Sequence, residues 1–535
     1  MPDSIIAAPG SRRLPQALLP LATPIFRWIW IAAMASNVGT WMQNVAAAWM
    51  MATLSASPVL IALVQTATTL PVFLLGLPAG AIADIVDRRK LLLWTQGWML
   101  AAAALLGLIT LSGHVGPIAL LLLTFALGAG STMNGPAWQA TIPQLVPREQ
   151  LASAIALNSV QFNIARAIGP ALGGLVISIW NPGVAFILNA ISFLGVMFVL
   201  AAWKGEPQLT NDRGESVVSA MWAGLRYVRH SPELHAVFVR CGVFVIGASA
   251  LWALLPVVAK QELGSTSSGY GILLGCLGAG SVIGASFFSR LRGAWPADAV
   301  VLAGTLVFAA ATFALGYVNH FGLLAIAMVA GGVAWMSVGS TCNVSAQIAL
   351  PGWVRARALS FYILIFQGSL AIGSWMWGEI AARAGSRTAL FLSAGSLTVG
   401  LVTSVWFRLS EIKERDVTPA MLWPEPTIMT GFDPGQGPVL VQVEYLIVDE
   451  WAQEFLDALK ELERIRRRDG ALRWDVFIDP GRPGRYVETF TVESWAEHLR
   501  QHERMTVADR ELYERVNALH SGPRSPEITH LVSAR

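Results

Sequence analysis

Charge is what this chain has least of. Of its 535 residues only 13% are Asp, Glu, Lys or Arg, whereas 54% are hydrophobic, and the mean hydropathy is +0.54. Soluble domains carry about 25% charged residues, so the deficit excludes a soluble enzyme as the main reading and leaves a surface that faces lipid. Cysteine is also scarce. Cys241, Cys276 and Cys342 are odd in number, lie inside apolar segments and form no CxxC, which excludes a disulfide framework or thiolate metal site and predicts buried free thiols. No GxxxxGK[ST] occurs, so a P-loop does not drive the chain, and no flavin or haem signature calls for a cofactor. The net charge of +3 follows membrane topology and makes no case for nucleic acid. The first 24 residues hold Arg12 and Arg13 but no separate apolar core, so the first span is expected to act as its own uncleaved insertion signal.

What charge there is lies at one end. Residues 435–535 hold 14 basic and 18 acidic residues, and the preceding 434 hold only 23 and 16. Two solvents act on one chain. Apolar stretches long enough to cross a core of about 30 Å fall near 25–51, 58–83, 91–112, 117–139, 152–179 and 183–203, and again near 235–259, 268–291, 297–318, 321–345, 358–381 and 387–407. The expected fold is therefore an all-α polytopic membrane protein of twelve spans in two six-helix repeats, followed by a small α+β domain. The expected divisions are a terminal segment 1–24, halves at 25–203 and 235–410, linkers at 204–234 and 411–437, and a soluble domain at 438–535.

Eighteen Lys and Arg fall in the even-numbered connections and the two ends of the membrane part, and three in the odd-numbered ones, which predicts both termini in the cytoplasm. The halves repeat at an offset of 204 residues: Gly80, Asp84 and Arg88 become Gly284, Phe288 and Arg292, Gly169 and Gly174 become Gly373 and Gly378, and Pro147 becomes Pro351. A duplicated unit enclosing a central site is the natural reading.

Two arginines, Arg166 and Arg240, fall inside spans. Arg166 lies 15 residues into span five, about 22 Å deep at 1.5 Å per residue, where a cation marks a substrate pathway or braces a neighbouring helix. Asn158 and Gln161 give the same span a polar sector. In span one, Asn37, Thr40 and Asn44 are spaced i, i+3, i+7 and form a polar stripe, read as cavity lining against the alternative of interhelical glue. Asn134, Gln139 and Gln367 are weaker candidates of the same kind. The tryptophans, among them Trp28, Trp30 and Trp94, read as interface anchors. No carboxylate sits at mid-membrane. Glu379 and Asp84 are the weak candidates for carrying a coupling proton.

The stretch Gly80 to Lys90, GAIADIVDRRK, resembles the loop motif of the major facilitator superfamily, with Gly80, Asp84 and Arg88 at matching positions and Asp87 where the family usually has Gly. The resemblance covers about residues 24–410 and implies that these three residues form a conformational latch, pairing with the other half in one state only. Gly169, Pro170, Gly173 and Gly174 resemble the superfamily's export-associated GPxxGG, with Ala156 and Ala165 replacing upstream glycines. Small residues there permit close helix approach, and Pro170 permits a bend.

After the proline-rich linker the period changes. Strands at 439–448, 472–478, 486–492 and 528–532 and helices at 450–468 and 494–517 give βαββαβ. This resembles the ferredoxin-like domain of the antibiotic-biosynthesis monooxygenase type, which implies dimerisation through its sheet. His498 and His502, one helical turn apart, could pair on a metal, but a charged, solvated face is the better reading. The whole chain resembles the transmembrane secretion effector family. That resemblance implies a secondary exporter of a small amphiphile such as a siderophore or drug, exchanging it for protons. A regulatory or enzymatic tail on a degenerate transporter is the rival.

Overall fold

The computed structural model describes residues 15–203, 217–409, 416, 418, 420, 433 and 435–534, without the side chains of Asp84 and residues 217–220. The first half comprises α1 (Pro24–Leu54), α2 (Pro58–Ile85), α3 (Arg88–Leu111), α4 (Pro117–Leu145), α5 (Leu151–Ile179) and α6 (Pro182–Ala202). A short α7 (Val217–Arg229) precedes the second half of α8 (Pro232–Val257), α9 (Ser267–Ala294), α10 (Ala297–Tyr317), α11 (Phe321–Ile348), α12 (Arg355–Ala384) and α13 (Ser386–Gly400). Proline opens α1, α2, α4, α6 and α8, the one helical position where its missing N–H costs nothing. Among the described residues eleven helices are long and apolar enough to cross a membrane, and α1, bent by 98° from a preceding 3-10 turn, brings the number to twelve.

Several expected boundaries shift. Span four runs on to Leu145, and span seven ends in a π-helical turn, Val258–Glu262. The linker expected over 204–234 contains α7 and the start of α8. The amphipathic α7 buries Ala223, Tyr227 and Val228 and exposes Trp222, a periodic signal hidden by the linker's polar beginning. Most of the 411–437 linker, and the basic residues Arg12, Arg13, Lys204, Arg213, Lys413 and Arg415, lie outside the described residues.

The duplication read from a 204-residue offset is structural. In the first half α1 packs on α5 and α6, α3 on α4 and α6, and α2 on α4; in the second, α8 packs on α12 and α13, α10 on α11 and α13, and α9 on α11. Each pair has its counterpart. The halves meet through α2 against α12 and α5 against α9, a pair of contacts that the same symmetry exchanges.

The C-terminal domain is a four-stranded antiparallel sheet, β1 (Val439–Leu446), β2 (Arg473–Ile478), β3 (Arg485–Val492) and β4 (Glu527–Val532), in the order β2-β3-β1-β4. One face is covered by α14 (Ala452–Asp469), α15 (Trp495–Arg504) and α16 (Val507–Ala518). Alternate residues of β1 and β3, from Val439 to Tyr445 and from Tyr486 to Val492, are buried under these helices, giving the ferredoxin-like arrangement. The single helix expected over 494–517 is two, because Thr506 and Asp509 form a capping box that starts a new one.

Candidate functional site

Both ends of the membrane part emerge at one face of the bundle, here the terminal face. Among the described residues, several hydrogen bonds between the halves lie away from it. Lys260 Nζ donates to the Ala52 carbonyl at 2.7 Å and Gln261 Nε2 to that of Ala56 at 3.3 Å, both at the far face. Deeper in, Thr66 Oγ1 donates to the Ala371 carbonyl at 3.0 Å. Toward the terminal face, Gly80 and Gly339 have no other group within 4 Å of where a Cβ would sit.

A cavity of about 490 Å³ lies in the terminal-face portion of the second half, between α9, α11 and α12, and its wall includes Phe288, Trp335, Asn343, Tyr362, Phe366 and Gln367. Apolar rings with a few amide groups suit an amphiphilic guest. Trp335 extends the aromatic surface, meeting Phe366 at 5.6 Å and Trp252 of α8 at 5.4 Å between ring centroids. Trp252 in turn faces Arg166, whose guanidinium carbon lies 5.6 Å from that ring and 5.9 Å from Trp41 of α1. One cation is thus held between an indole from each half. Its Nε is buried with no hydrogen-bond partner among the described residues, which also provide no carboxylate in salt-bridge range. Arg240 differs: it is buried beside Asp298 at 3.6 Å. The tryptophans that matter to Arg166 were missed because sequence spacing does not reveal which face of α8 meets α5.

The other residues expected to line the cavity divide into separate places. Asn158 and Gln161 do not join Arg166; they face a small cavity of about 10 Å³ within the first half, with Trp138 and Thr141, room for about one water. Trp138 Nε1 lies 3.5 Å from Asn158 Oδ1, and both amide atoms of Gln161 are buried without a partner among the described residues. Asn37, Thr40 and Asn44 are half-buried, and the Thr40 hydroxyl donates to Ser36 of its own helix at 2.9 Å. Asn134 is glue, accepting from Thr95 at 3.0 Å and Gln96 at 3.3 Å on α3. Gln139 is exposed. A polar pair not foreseen, Asn189 donating to Gln43, joins α6 to α1 in the core. Trp28 and Trp94 are exposed as interface anchors should be, but Trp30 is a brace, donating to the Leu157 carbonyl at 3.1 Å.

The described side chains of the loop motif bond within their own half. Arg88 donates to the Ala140 carbonyl of α4 at 3.2 Å, and Arg89 to the last-turn carbonyls Leu200 and Ala201 of α6 at 3.0 and 2.6 Å, where a cation suits the helix dipole. Asp87, the departure from the family pattern, caps α3 by accepting from the Lys90 N–H at 3.1 Å. The Asp84 side chain lies outside the described residues. In the GPxxGG stretch, a Cβ on Gly169 would sit 2.5 Å from Trp41 Cβ, and one on Gly173 would sit 2.8 Å from Met42 Cα. On Gly174 it would sit 2.5 Å from the Ser267 carbonyl oxygen of α9, while Gly271 answers against Pro170 and Gly174. The motif therefore joins α5 both to α1 and to the other half. Glu379, considered for proton transfer, is spent at the far face on Arg383 at 2.6 Å.

His498 and His502 are not on a solvated face. His498 is fully buried, its Nε2 is 3.3 Å from that of His502, and its ring centre is 4.7 Å from that of His530 on β4. Burial, then neighbouring positive charge including that of Arg466, pushes His498 down to about 3 and His502 to about 4. Helix amphipathicity, with Trp495 and Leu499 on the same side, was the available signal. No group of three or more His, Cys, Asp or Glu that could hold a metal occurs among the described residues.

Two pseudosymmetric six-helix halves, the second of which holds an aromatic cavity, define a multi-pass membrane transporter of the major facilitator fold. Solved structures agree on the fold: a bacterial homolog of human Spinster, inward-facing and unoccupied, has TM-score 0.58 at 15% identity, covering 75% of this chain and 98% of its own. The nucleoside transporter NupG has TM-score 0.59 at 11% identity over 72% of this chain. Within that class the chain belongs to the transmembrane secretion effector family, whose model matches residues 15–535. It is 25% identical to the staphyloferrin A transporter of Staphylococcus aureus over 46% of this chain, spanning only 62% of that relative's length. It is 22% identical to the multidrug efflux pump Tap of Mycolicibacterium fortuitum over 72% of this chain and 96% of that pump. With the enterobactin exporter EntS of Shigella boydii it shares 27% identity over 62% of this chain and 74% of EntS.

Proposed function

We propose that this transporter exports a small amphiphile bearing aromatic and acidic or electron-rich groups, such as a siderophore or an anionic drug. The observation that carries the reading is Arg166, a cation with no carboxylate in salt-bridge range among the described residues, held between Trp41 and Trp252, the latter packed on the aromatic wall of a 490 Å³ cavity. In a low-dielectric site such a charge attracts an anion far more strongly than in water. Relatives that handle siderophores and drugs support the substrate class. The twelve-span charge bias supports an inner-membrane orientation with the terminal face in the cytoplasm. The pseudosymmetric halves, bonded to each other at the far face, suit an alternating-access cycle in which Gly80, Asp84 and Arg88 latch one state and Asn37, Thr40 and Asn44 line the path. Proton exchange is the proposed coupling, and dimerisation through the outer sheet face of the C-terminal domain accompanies it. Inverted membrane vesicles test this. A catecholate siderophore should accumulate when a proton gradient is imposed and stop when it is collapsed; no accumulation above vesicles lacking the protein would overturn it.

A further inference from the structure

The C-terminal domain does not hang free on its linker. Three contacts tie it to the second half at the terminal face. Glu497 of α15 meets Arg226 of α7 at 3.0 Å. The Arg504 guanidinium lies 4.4 Å over the ring of Trp353 in the α11–α12 turn, and that of Arg468 lies 5.3 Å over Tyr227 of α7. Tyr227 and Trp353 themselves pack edge to face, 5.7 Å apart at 82°. An aromatic pair on the transporter is thus held by two arginines of the domain.

The domain's side of the contact is held by bonds within the domain itself. Arg504 is fixed by Glu497 at 2.6 Å and by the Asp469 carbonyl at 2.7 Å, and Arg468 by Asp469 at 2.8 Å and Asp509 at 2.7 Å. Burial acts to raise the Glu497 carboxyl, but its hydrogen bonds and the charges of Arg504 and Arg500 outweigh it and hold it below the ordinary glutamate value. Planar cations locked by their own carboxylates lose little freedom on meeting a ring, which is how preorganisation favours binding. The linker is tied in as well: the Ala420 N–H donates to Met505, and the Val507 and Ala508 N–H groups donate to Thr418 and Asp416, at 2.8 to 3.1 Å.

The docking site lies on the turn that joins the two helices supplying most of the cavity wall. Trp353 sits just before α12, which carries Tyr362, Phe366 and Gln367, and just after α11, which carries Trp335 and Asn343. Gly224 of α7 packs on the same helix, where an added Cβ would be 3.0 Å from Arg357 Cβ. We infer that the C-terminal domain is a docked brace of the α11–α12 hairpin, and that docking and occupancy of the cavity are linked. A brace that favours one hairpin geometry changes ligand affinity by the same factor that ligand changes docking.

The test uses the full chain in nanodiscs with a fluorophore on Ser521→Cys, which is exposed, and follows its anisotropy decay. The native interface should give slow tumbling with the whole particle. Arg226→Glu with Trp353→Ala should add a fast component of a released domain, and Arg226→Ala, which leaves both folds unburdened, should add a smaller one. Fast tumbling in the native protein, or slow tumbling in the double variant, overturns docking. Naphthalene-2-sulfonate, an aromatic anion, is then titrated by calorimetry. It should bind the double variant at least threefold more weakly than the native protein, and equal affinity overturns the linkage. This second arm rests on the anion-binding reading of the cavity; absence of binding to the native protein defeats that reading while the tumbling arm still decides docking.

Discussion

Gly174→Ala adds one methyl group at a close backbone contact between the two halves. It would lie 2.5 Å from the Ser267 carbonyl oxygen, 3.0 Å from Gly271 Cα and 3.2 Å from Ser268 Cα. All three are backbone atoms, so no side-chain rotation relieves the clash and α5 must part from α9. Overpacking of this kind costs about 1–3 kcal/mol, and the cost falls only on the state in which these helices meet. The population of that state relative to its alternative should drop by about 5- to 150-fold, at tenfold per 1.4 kcal/mol. Spin labels at Ala56 and Thr266, both exposed at the far face, report the change as a longer distance by double electron–electron resonance. Gly378→Ala, whose methyl would lie 2.6 Å from Ala62 Cβ, should act the same way, whereas Gly395→Ala, with nothing within 4 Å, should not. An unchanged distribution in well-inserted Gly174→Ala would refute the reasoning, because contact at α5 and α9 would then be common to all states.

Arg166→Lys should keep part of vesicle transport, since charge survives without the planar fork, and Arg166→Ala should abolish it at normal membrane levels; disappearance from the membrane would instead make Arg166 structural. Asp84→Asn should insert normally and transport more slowly as the latch bias is lost, and undiminished turnover removes the latch. The C-terminal domain should lose stability as pH falls below about 6.5. His498 and His502 bind protons only near 3 and 4 when folded but near 6.5 when unfolded, so the unfolded state takes up as many as two more. Each proton contributes a slope of about 1.4 kcal/mol per pH unit. Hydrogen exchange of residues 485–504 in the full chain should show this fall, and His502→Phe should flatten it; pH-independent protection between 6.5 and 4.5 contradicts the assignment.

Twelve spans, the 204-residue duplication and the βαββαβ order were legible because each rests on periodicity or on a repeated landmark. What the sequence hid is which face of each helix meets which neighbour. Arg166 stood out by depth alone, yet its partners Trp41 and Trp252 lie 125 and 86 positions away and share no local pattern with it. Asn134 and Asn37 look alike in sequence, but only Asn134 faces a donor pair on α3. The His498 pair was misplaced for a related reason: charges at Arg500, Glu503 and Arg504 suggested water, although Arg504 is itself buried against Trp353.

Phe288 occupies the position in the second half that Asp84 holds in the first, and it forms part of the cavity wall. One copy of the loop motif carries a carboxylate and the other a ring at the matching position of the repeat, so the two halves are built alike but divide the labour. The symmetry that relates them now maps a charge at a helix end onto a hydrophobic patch for a guest. Phe288→Asp would set a carboxylate into that wall, and under the proposed export of anions the molecule would be more symmetric and worse at selecting what it carries.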